Sequence, residues 1–281
     1  MLNKSIKSPV NIPVSKIHPF EGNPYKVLDN DEMNILIGSI QEQGILTPII
    51  IRPIENTDEY EVISGHRRLH AIVKAGMKEV PAFIYAVTRD EAAIMLVDSN
   101  LHREHILPSE KAFAYKLKLE AMKHQGITCG QVGHKSRDEI SDTDSGRQIQ
   151  RYIRLTYLIP ELLDLVDEEK IALTPAVELS YLTDEEQYAL LGSIEVEDRT
   201  PSLSQAVRFK KLSQTGNLSD DDIETIMQED KANQKPMFKV SMEKLQEIAP
   251  RVKDKDFEDF VLKACEHYYR YLLRQRDRDS R

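Results

Sequence analysis

Cysteine is scarce in this chain: Cys129 and Cys265 are its only two, far apart and without metal-type spacing. A reducing, cytoplasmic setting is expected. Long apolar runs are missing too. None approaches the ~20 residues a bilayer crossing needs; the longest are pieces such as PIII at 48–51. The amino terminus MLNKSIKSPVNIPV lacks an apolar signal core. No membrane span is therefore expected. Positive charge is in deficit as well, with a net charge of -9. This argues against coating of nucleic acid by the whole surface, although a sum over several domains hides local patches. Residues 217–230 carry six acids and no base, whereas residues 270–281 carry five arginines and two aspartates. Any nucleic-acid surface must be regional.

What is present is an ordinary folded composition, 40% hydrophobic and 30% charged, in 281 residues. That length allows two or three domains, each with its own core. Met33, Leu36, Ile37 and Ile40 share one helical face within 31–43, and Gly44 follows as a helix stop. IIIR at 49–52, YEVIS at 60–64 and VPAFIY at 80–85 read as strands. A helix with Leu69, Ile72 and Val73 inward lies between the last two and ends at Gly76. The first hundred residues thus alternate strand and helix, an α/β pattern.

Beyond residue 108 the strand signals stop. Pro108 and Ser109 start a helix running towards Gln125, followed by the glycine-rich stretch GITCGQVGHKS and then short helices. Thr183 with Glu186 and Ser219 with Asp222 have capping-box spacing, while Pro160, Pro175 and Pro201 suit first helical turns. A polar stretch, EDKANQKP at 229–236, reads as a linker. Phe257, Phe260, Val261, Ala264, Cys265, Tyr268 and Leu272 then recur at helical spacing, giving a terminal amphipathic helix with a basic end. On its apolar face Cys265 reads as a small buried hydrophobe. The expected domains are 1–107, 108–228 and 229–281.

Within EVISGHRRLHAIVKAGM, 61–77, two arginines follow a glycine where strand gives way to helix. A helix start presents unpaired N–H groups and the positive end of its dipole, both favourable to an anion. Gly65 lets the backbone come close, and Arg67 and Arg68 add planar donor forks suited to phosphate. The alternative is a surface turn whose arginines pair with local carboxylates such as Glu61. DSNLHREHILPSEKA, 98–112, offers Asn100 as a neutral ligand and Arg103 as a further cation.

Together these stretches resemble the ParB partition-protein family. GHRRLHA is similar to its GERRxxA signature, and SNLHREHILPSEKA to its ENxxR stretch followed by LxPxExA. SIQEQGILTPIIIR, 39–52, matches the helix-glycine-Pro-strand segment, and NPY at 23–25 resembles the NPR element. The likeness runs from residue 15 to about 190 and is nearest to the ParB-like proteins of mobile elements and plasmids. It implies a ParB/sulfiredoxin-like α/β amino-terminal domain, an all-helical helix-turn-helix domain and a short helical carboxyl-terminal segment.

The resemblance also implies CTP with Mg2+ in a pocket. Gly65, His66, Arg67, Arg68, Ser99, Asn100 and Arg103 would lie at the phosphates, with Asn100 near the metal, and Gly44, Thr47 and Pro48 at the base. His66 replaces the glutamate of GERR, and Ser99 replaces the glutamate before Asn100. Serine is a poor substitute for a charged magnesium ligand, which bears on a weak CTPase activity more than on binding. A sulfiredoxin-type enzyme would need a cysteine at 65–68, where there is none.

SRDEISDTDSGRQIQRYIRL, 136–155, reads as a helix-turn-helix, with Asp144 or Ser145 capping the second helix. Arg147, Arg151 and Arg154 recur at i, i+4 and i+7 beside Gln148 and Gln150, with Ile149 and Ile153 inward. Arginine and glutamine suit guanine and adenine edges in a major groove. Its first helix and turn are about two residues tighter than usual.

The expected function is DNA binding for plasmid, mobile-element or chromosome partition, by a nucleoid-associated homodimer with a CTP-responsive clamp and a ParA-type ATPase as partner. The alternatives are a transcriptional regulator of a mobile element with a vestigial pocket, and a ParB-like nuclease.

Overall fold

Strand residues of the amino-terminal region point alternately into two cores. The computed structural model describes residues 8–103, 105–125, 144–229, 246, 248–249, 252 and 257–279. Five strands, β1 (Val10–Pro13), β2 (Ile17–His18), β3 (Ile49–Pro53), β4 (Tyr60–Ser64) and β5 (Glu79–Ile84), form one sheet in the order β1-β5-β3-β4-β2. The sheet is mixed: β3 pairs antiparallel with β4 and parallel with β5, while β1 and β2 close the edges. These two edge strands, four and two residues long, carry too little pattern to be read from sequence.

Ile49, Ile51 and Val62 face α1 (Asp31–Gln43) and α2 (His66–Lys74), where Met33, Ile40, Leu69 and Ile72 complete one core. Ile63 faces the other way, into a core of Ala92, Ala93, Leu96 and Val97 from α3 (Arg89–Asp98) and Ala114 and Ala121 from α4 (Pro108–His124). The period of two along a strand thus puts helices on both faces. Val73, expected inward, is 57% exposed, because the buried arc of α2 centres on Ile72 and takes in Ala71 instead.

After α4 come α5 (Gly146–Leu155), α6 (Pro160–Asp167), α7 (Leu173–Leu179), α8 (Asp184–Glu197), α9 (Leu203–Gln214) and α10 (Asp220–Gln228). They share a core with Leu155, Leu162, Leu190, Phe209 and Ile226. The capping boxes at Thr183 and Ser219 form. Pro201, expected in a first turn, lies just outside α9, because Ser202 and Gln205 make the capping box there. Helix α4 is common to both regions: Ala112 joins the helical core, Ala114 the sheet core, and Tyr115 packs with Ile149 of α5. The chain is an α/β amino-terminal region followed by a helical one.

Residues through Glu229 form one unit, and a second begins at Asp230. In the second, α11 (Phe257–Asp279) leaves Tyr268 61% exposed. Cys265, read as a small buried hydrophobe, is exposed too. Phe257 at the start of the stripe is buried, but further along, the spacing of a buried face does not by itself supply an element to cover it. Cys129 and the first half of the expected helix-turn-helix lie outside the described residues.

One buried ion pair ties the central strand β3 to β4. Arg52 and Glu61 stand opposite each other on β3 and β4, both nearly inaccessible, with Arg52 Nε and Nη2 2.8 and 2.7 Å from Glu61 Oε2. The other oxygen, Oε1, accepts the backbone N–H of Glu21 at 2.9 Å, tying down the loop after β2. Removing one partner strands a buried charge, which costs about 3–5 kcal/mol. Glu61→Ala should therefore lower unfolding free energy by about that amount in urea titration, whereas Glu21→Ala, which keeps the backbone donor, should not.

Candidate functional site

The turn from β4 to α2 is built on Gly65, the N-cap of α2, at φ 106°. A Cβ there would lie 2.8 Å from Ile49 Cγ2, so the position excludes side chains on two grounds, backbone conformation and space. Because no side chain caps this helix, its first N–H groups remain available to an external acceptor. They open onto a cavity of about 360 Å³ lined by Asn23, Tyr25, Lys26, Val27, Leu36, Ser64, Gly65, His66, Arg67, Arg68, Asn100 and Arg103. Four lining residues are cationic and none is a carboxylate. This is the electrostatic signature of a site for a polyanion.

The cations are held differently. Arg67 pairs at 3.0 Å with Glu32, an exposed carboxylate on α1, rather than with Glu61. Surface pairs of this kind are worth about 0–1 kcal/mol and exchange readily. Arg68 Nη1 donates to the carbonyls of Thr47 and Pro48 at 2.5 and 2.9 Å, so it shapes the segment after α1. Burial lowers the pKa of its guanidinium, yet arginine remains charged. Arg103 lies 5.5 Å from the Tyr25 ring centroid. Lys26 reaches out of the cavity to Asp164 and Asp167 of α6, each at 3.4 Å. Burial works against its charge, but the two aspartates outweigh it and raise its pKa.

The loop bearing Lys26 is also fastened to α4, whose Glu110 accepts the Lys26 N–H at 2.9 Å. Ser109 in turn donates its N–H and hydroxyl to Asp167 at 2.9 and 2.6 Å. Pocket loop, α4 and α6 thus form one bonded chain. Lys26 follows the NPY motif, but no local pattern marks its role, since the carboxylates its ammonium meets lie over a hundred residues away.

Of the residues read from sequence, Gly65, His66, Arg67, Arg68, Asn100 and Arg103 meet in the cavity; Gly44, Thr47, Pro48 and Ser99 are not among its lining. Thr47 and Pro48 connect through their carbonyls to Arg68. Ser99 turns its hydroxyl back to Leu96 O at 3.0 Å. Asn100 is buried and commits its amide nitrogen to Leu96 O at 2.6 Å, which leaves the amide oxygen as its ligand-type atom. The described residues contain no group of three or more His, Cys, Asp or Glu placed to share a metal ion.

On α5, Ser145 is the cap and accepts the Gln148 N–H. Asp144 instead takes Lys111 Nζ at 2.9 Å and the Tyr115 hydroxyl. Burial alone would raise the Asp144 pKa, but these two donors lower it. Ile149 is fully buried and Ile153 partly so; Arg147 is exposed, while Gln148, Gln150, Arg151 and Arg154 are half-buried. Arg151 reaches Gln148 and Thr174, and Arg154 is bonded to Ser180.

His66 accepts the Phe20 N–H through Nε2 at 3.3 Å, so the neutral ring carries its proton on Nδ1. Burial is the main reason its pKa falls to about 4, with Arg103 adding to the effect and Glu61 opposing it. The unfolded chain titrates near 6.5. Between pH 6.5 and 4 the unfolded state therefore binds a proton that the folded state refuses, and stability falls as pH falls. Wild type should lose about 2 kcal/mol more than His66→Gln between pH 7 and pH 5, read by chemical denaturation at both pH values.

Residues 2–101 match the family model for the ParB N-terminal domain. The chain is 32% identical over 171 residues to the chromosome-partitioning protein Spo0J of Thermus thermophilus, covering 61% of this chain and 59% of that protein. It is 30% identical over 142 residues to the nucleoid occlusion protein of Listeria monocytogenes, covering 50% and 49%. It therefore spans only about half to three fifths of the length of these relatives. Among solved structures, the C-terminally truncated chromosome-partitioning protein ParB from Caulobacter crescentus, complexed to the centromeric parS site, matches at 20% identity and a TM-score of 0.42. That match covers 78% of this chain and 98% of that one. Signature residues, cavity and domain match agree: residues 2–101 of this chain form a ParB N-terminal domain.

Proposed function

We propose that this chain is a ParB-type partition protein: a homodimer that binds double-stranded DNA through α5 and takes CTP in the amino-terminal cavity, where the nucleotide favours closure of two amino-terminal domains into a clamp. The observation that carries the nucleotide reading is a concave site with Lys26, Arg67, Arg68 and Arg103 in its lining and no carboxylate, at the uncapped start of α2. Its volume of about 360 Å³ is within the usual range for small-molecule sites. The Gly65 turn and the N–H groups behind it would meet the triphosphate; the segment held by Arg68, with Gly44, Thr47 and Pro48, lies towards the base.

Magnesium fits this site only as a partner of the nucleotide. The cavity lining offers the Asn100 amide oxygen but no carboxylate, so most of the coordination would come from phosphate oxygens and water. Ser99, bonded to Leu96 O, is not placed as a substitute for the missing glutamate, and weak hydrolysis at most is expected.

On the DNA side, exposed Arg147 with Gln148, Gln150 and Arg151 would meet base edges, and Arg154 the backbone. The exposed part of the α11 stripe, Phe260, Ala264, Cys265 and Tyr268, supports pairing of two copies. The working domains are 1–107 for nucleotide, 108–228 for DNA and 229–281 for linker and pairing. A nucleoid-associated location and a ParA-type ATPase partner follow from this reading. Closure is a population shift, so CTP must bind the closed form better than the open one.

Equilibrium binding of labelled CTP, with ATP, GTP and UTP as competitors, tests the pocket. Wild type should bind CTP selectively, and Arg67→Ala and Arg103→Ala should each weaken binding about 10-fold or more, the scale of one lost charge-assisted contact. DNA binding without any CTP binding would favour a nucleotide-independent regulator instead.

A further inference from the structure

The cationic face of α5 does not stop at its own end. Arg147 and Arg154 are seven residues apart, about two helical turns, and so lie on one face. Beyond Arg154 the face continues onto neighbouring helices. Arg154 donates from Nε to Ser180 Oγ at 3.0 Å and from Nη2 to the Ser180 carbonyl at 2.7 Å. Its guanidinium lies 3.9 Å from the Tyr181 ring centroid and 4.5 Å from that of Tyr157. Lys210 of α9 places its ammonium 3.8 Å from the same Tyr181 ring, and Glu178 of α7 holds it at 2.9 Å. The two rings remain open to solvent, Tyr157 at 56% and Tyr181 at 38%.

The result is a surface on which Arg154 and Lys210, from different helices, share one aromatic ring beside a single acid, Glu178. Stacking on a ring leaves a cation its charge while restricting its rotamers, so less freedom is lost when a phosphate arrives. Arg151 Nη2 donates to Thr174 Oγ1 at 2.5 Å, and Arg154 docks at Ser180. Helix α7 therefore runs alongside the candidate reading helix rather than behind it.

We infer that Tyr181 and Lys210, with Arg154, form a second DNA contact that grips the sugar-phosphate backbone beside the groove taken by α5. This rests on the DNA-binding reading above and adds to it residues outside the reading helix. Lys210 supplies the ion contact, the Tyr181 hydroxyl a neutral donor, and Arg154 links this patch to α5. The contact fixes register and carries no sequence preference, as phosphate contacts do. Glu178 opposes it: in free protein it holds Lys210 in place, and on DNA it competes with the phosphate.

That opposition separates the proposal from a plain structural ion pair between α7 and α9. The full chain is titrated with a random-sequence duplex at several salt concentrations, because non-specific binding is carried by phosphate contacts. Lys210→Gln should reduce the slope of log K against log[salt] by about 0.9 in magnitude, the value of one phosphate contact. Glu178→Gln should bind more tightly than wild type, and Tyr181→Ala should weaken binding. Arg147→Ala serves as the control within α5. If wild type binds the duplex while Lys210→Gln and Glu178→Gln leave affinity and slope unchanged and lower the melting temperature alike, the patch is structural and the inference falls. If wild type does not bind duplex DNA, the DNA-binding reading falls, and this inference with it.

Discussion

The arrangement of the amino-terminal domain depends on one strand-to-helix turn. Gly65 adopts a backbone conformation that side chains resist, packed against Ile49 of the central strand, and residues on either side of it anchor two separate pieces of chain. Glu61, the second residue of β4, accepts the N–H of Glu21. His66, first in α2, accepts the N–H of Phe20. Arg68 holds the carbonyls of Thr47 and Pro48. A single turn thus positions the loop after β2, the segment before β3 and the start of α2 around one cavity, with the positive end of the α2 dipole facing inwards.

From that cavity a bonded route leads to the helical region. Lys26 lines the cavity and contacts α6 through Asp164 and Asp167, while its backbone is tied to Glu110 of α4. Helix α4 also contributes Lys111 and Tyr115 to Asp144, immediately before α5. An anion in the cavity would compete with Asp164 and Asp167 for Lys26, and that competition would supply the differential interaction that the proposed nucleotide-linked closure requires. The Lys26–Asp164 pair, exposed on both sides at 3.4 Å, is of the weak, exchangeable kind, whereas Asp167 is almost inaccessible and is also held by Ser109.

Features governed by local pattern were legible in the sequence. The amphipathic face of α1, the strands β3, β4 and β5, the capping boxes at Thr183 and Ser219 and the glycine-arginine turn all follow from spacings of a few residues. What escaped depends on long-range partners. Strand β2 is two residues long and exists only because β4 pairs with it. Arg67 and Arg68 share a motif, yet one meets Glu32 and the other the Thr47 and Pro48 carbonyls, a division no local spacing encodes. Lys26 had no carboxylate partner nearby in sequence. Cys265 sits on a face with the spacing of a core, but it is exposed.

The most direct test of the account is amide hydrogen exchange on the full chain with and without CTP and magnesium. If the uncapped start of α2 receives the triphosphate, exchange should slow at His66, Arg67 and Arg68 and in the segment around Asn100, with the effect on α2 lost in Arg67→Ala. CTP binding at the same affinity with unchanged exchange at the start of α2 would contradict the account, and the nucleotide site would have to be sought elsewhere on the molecule.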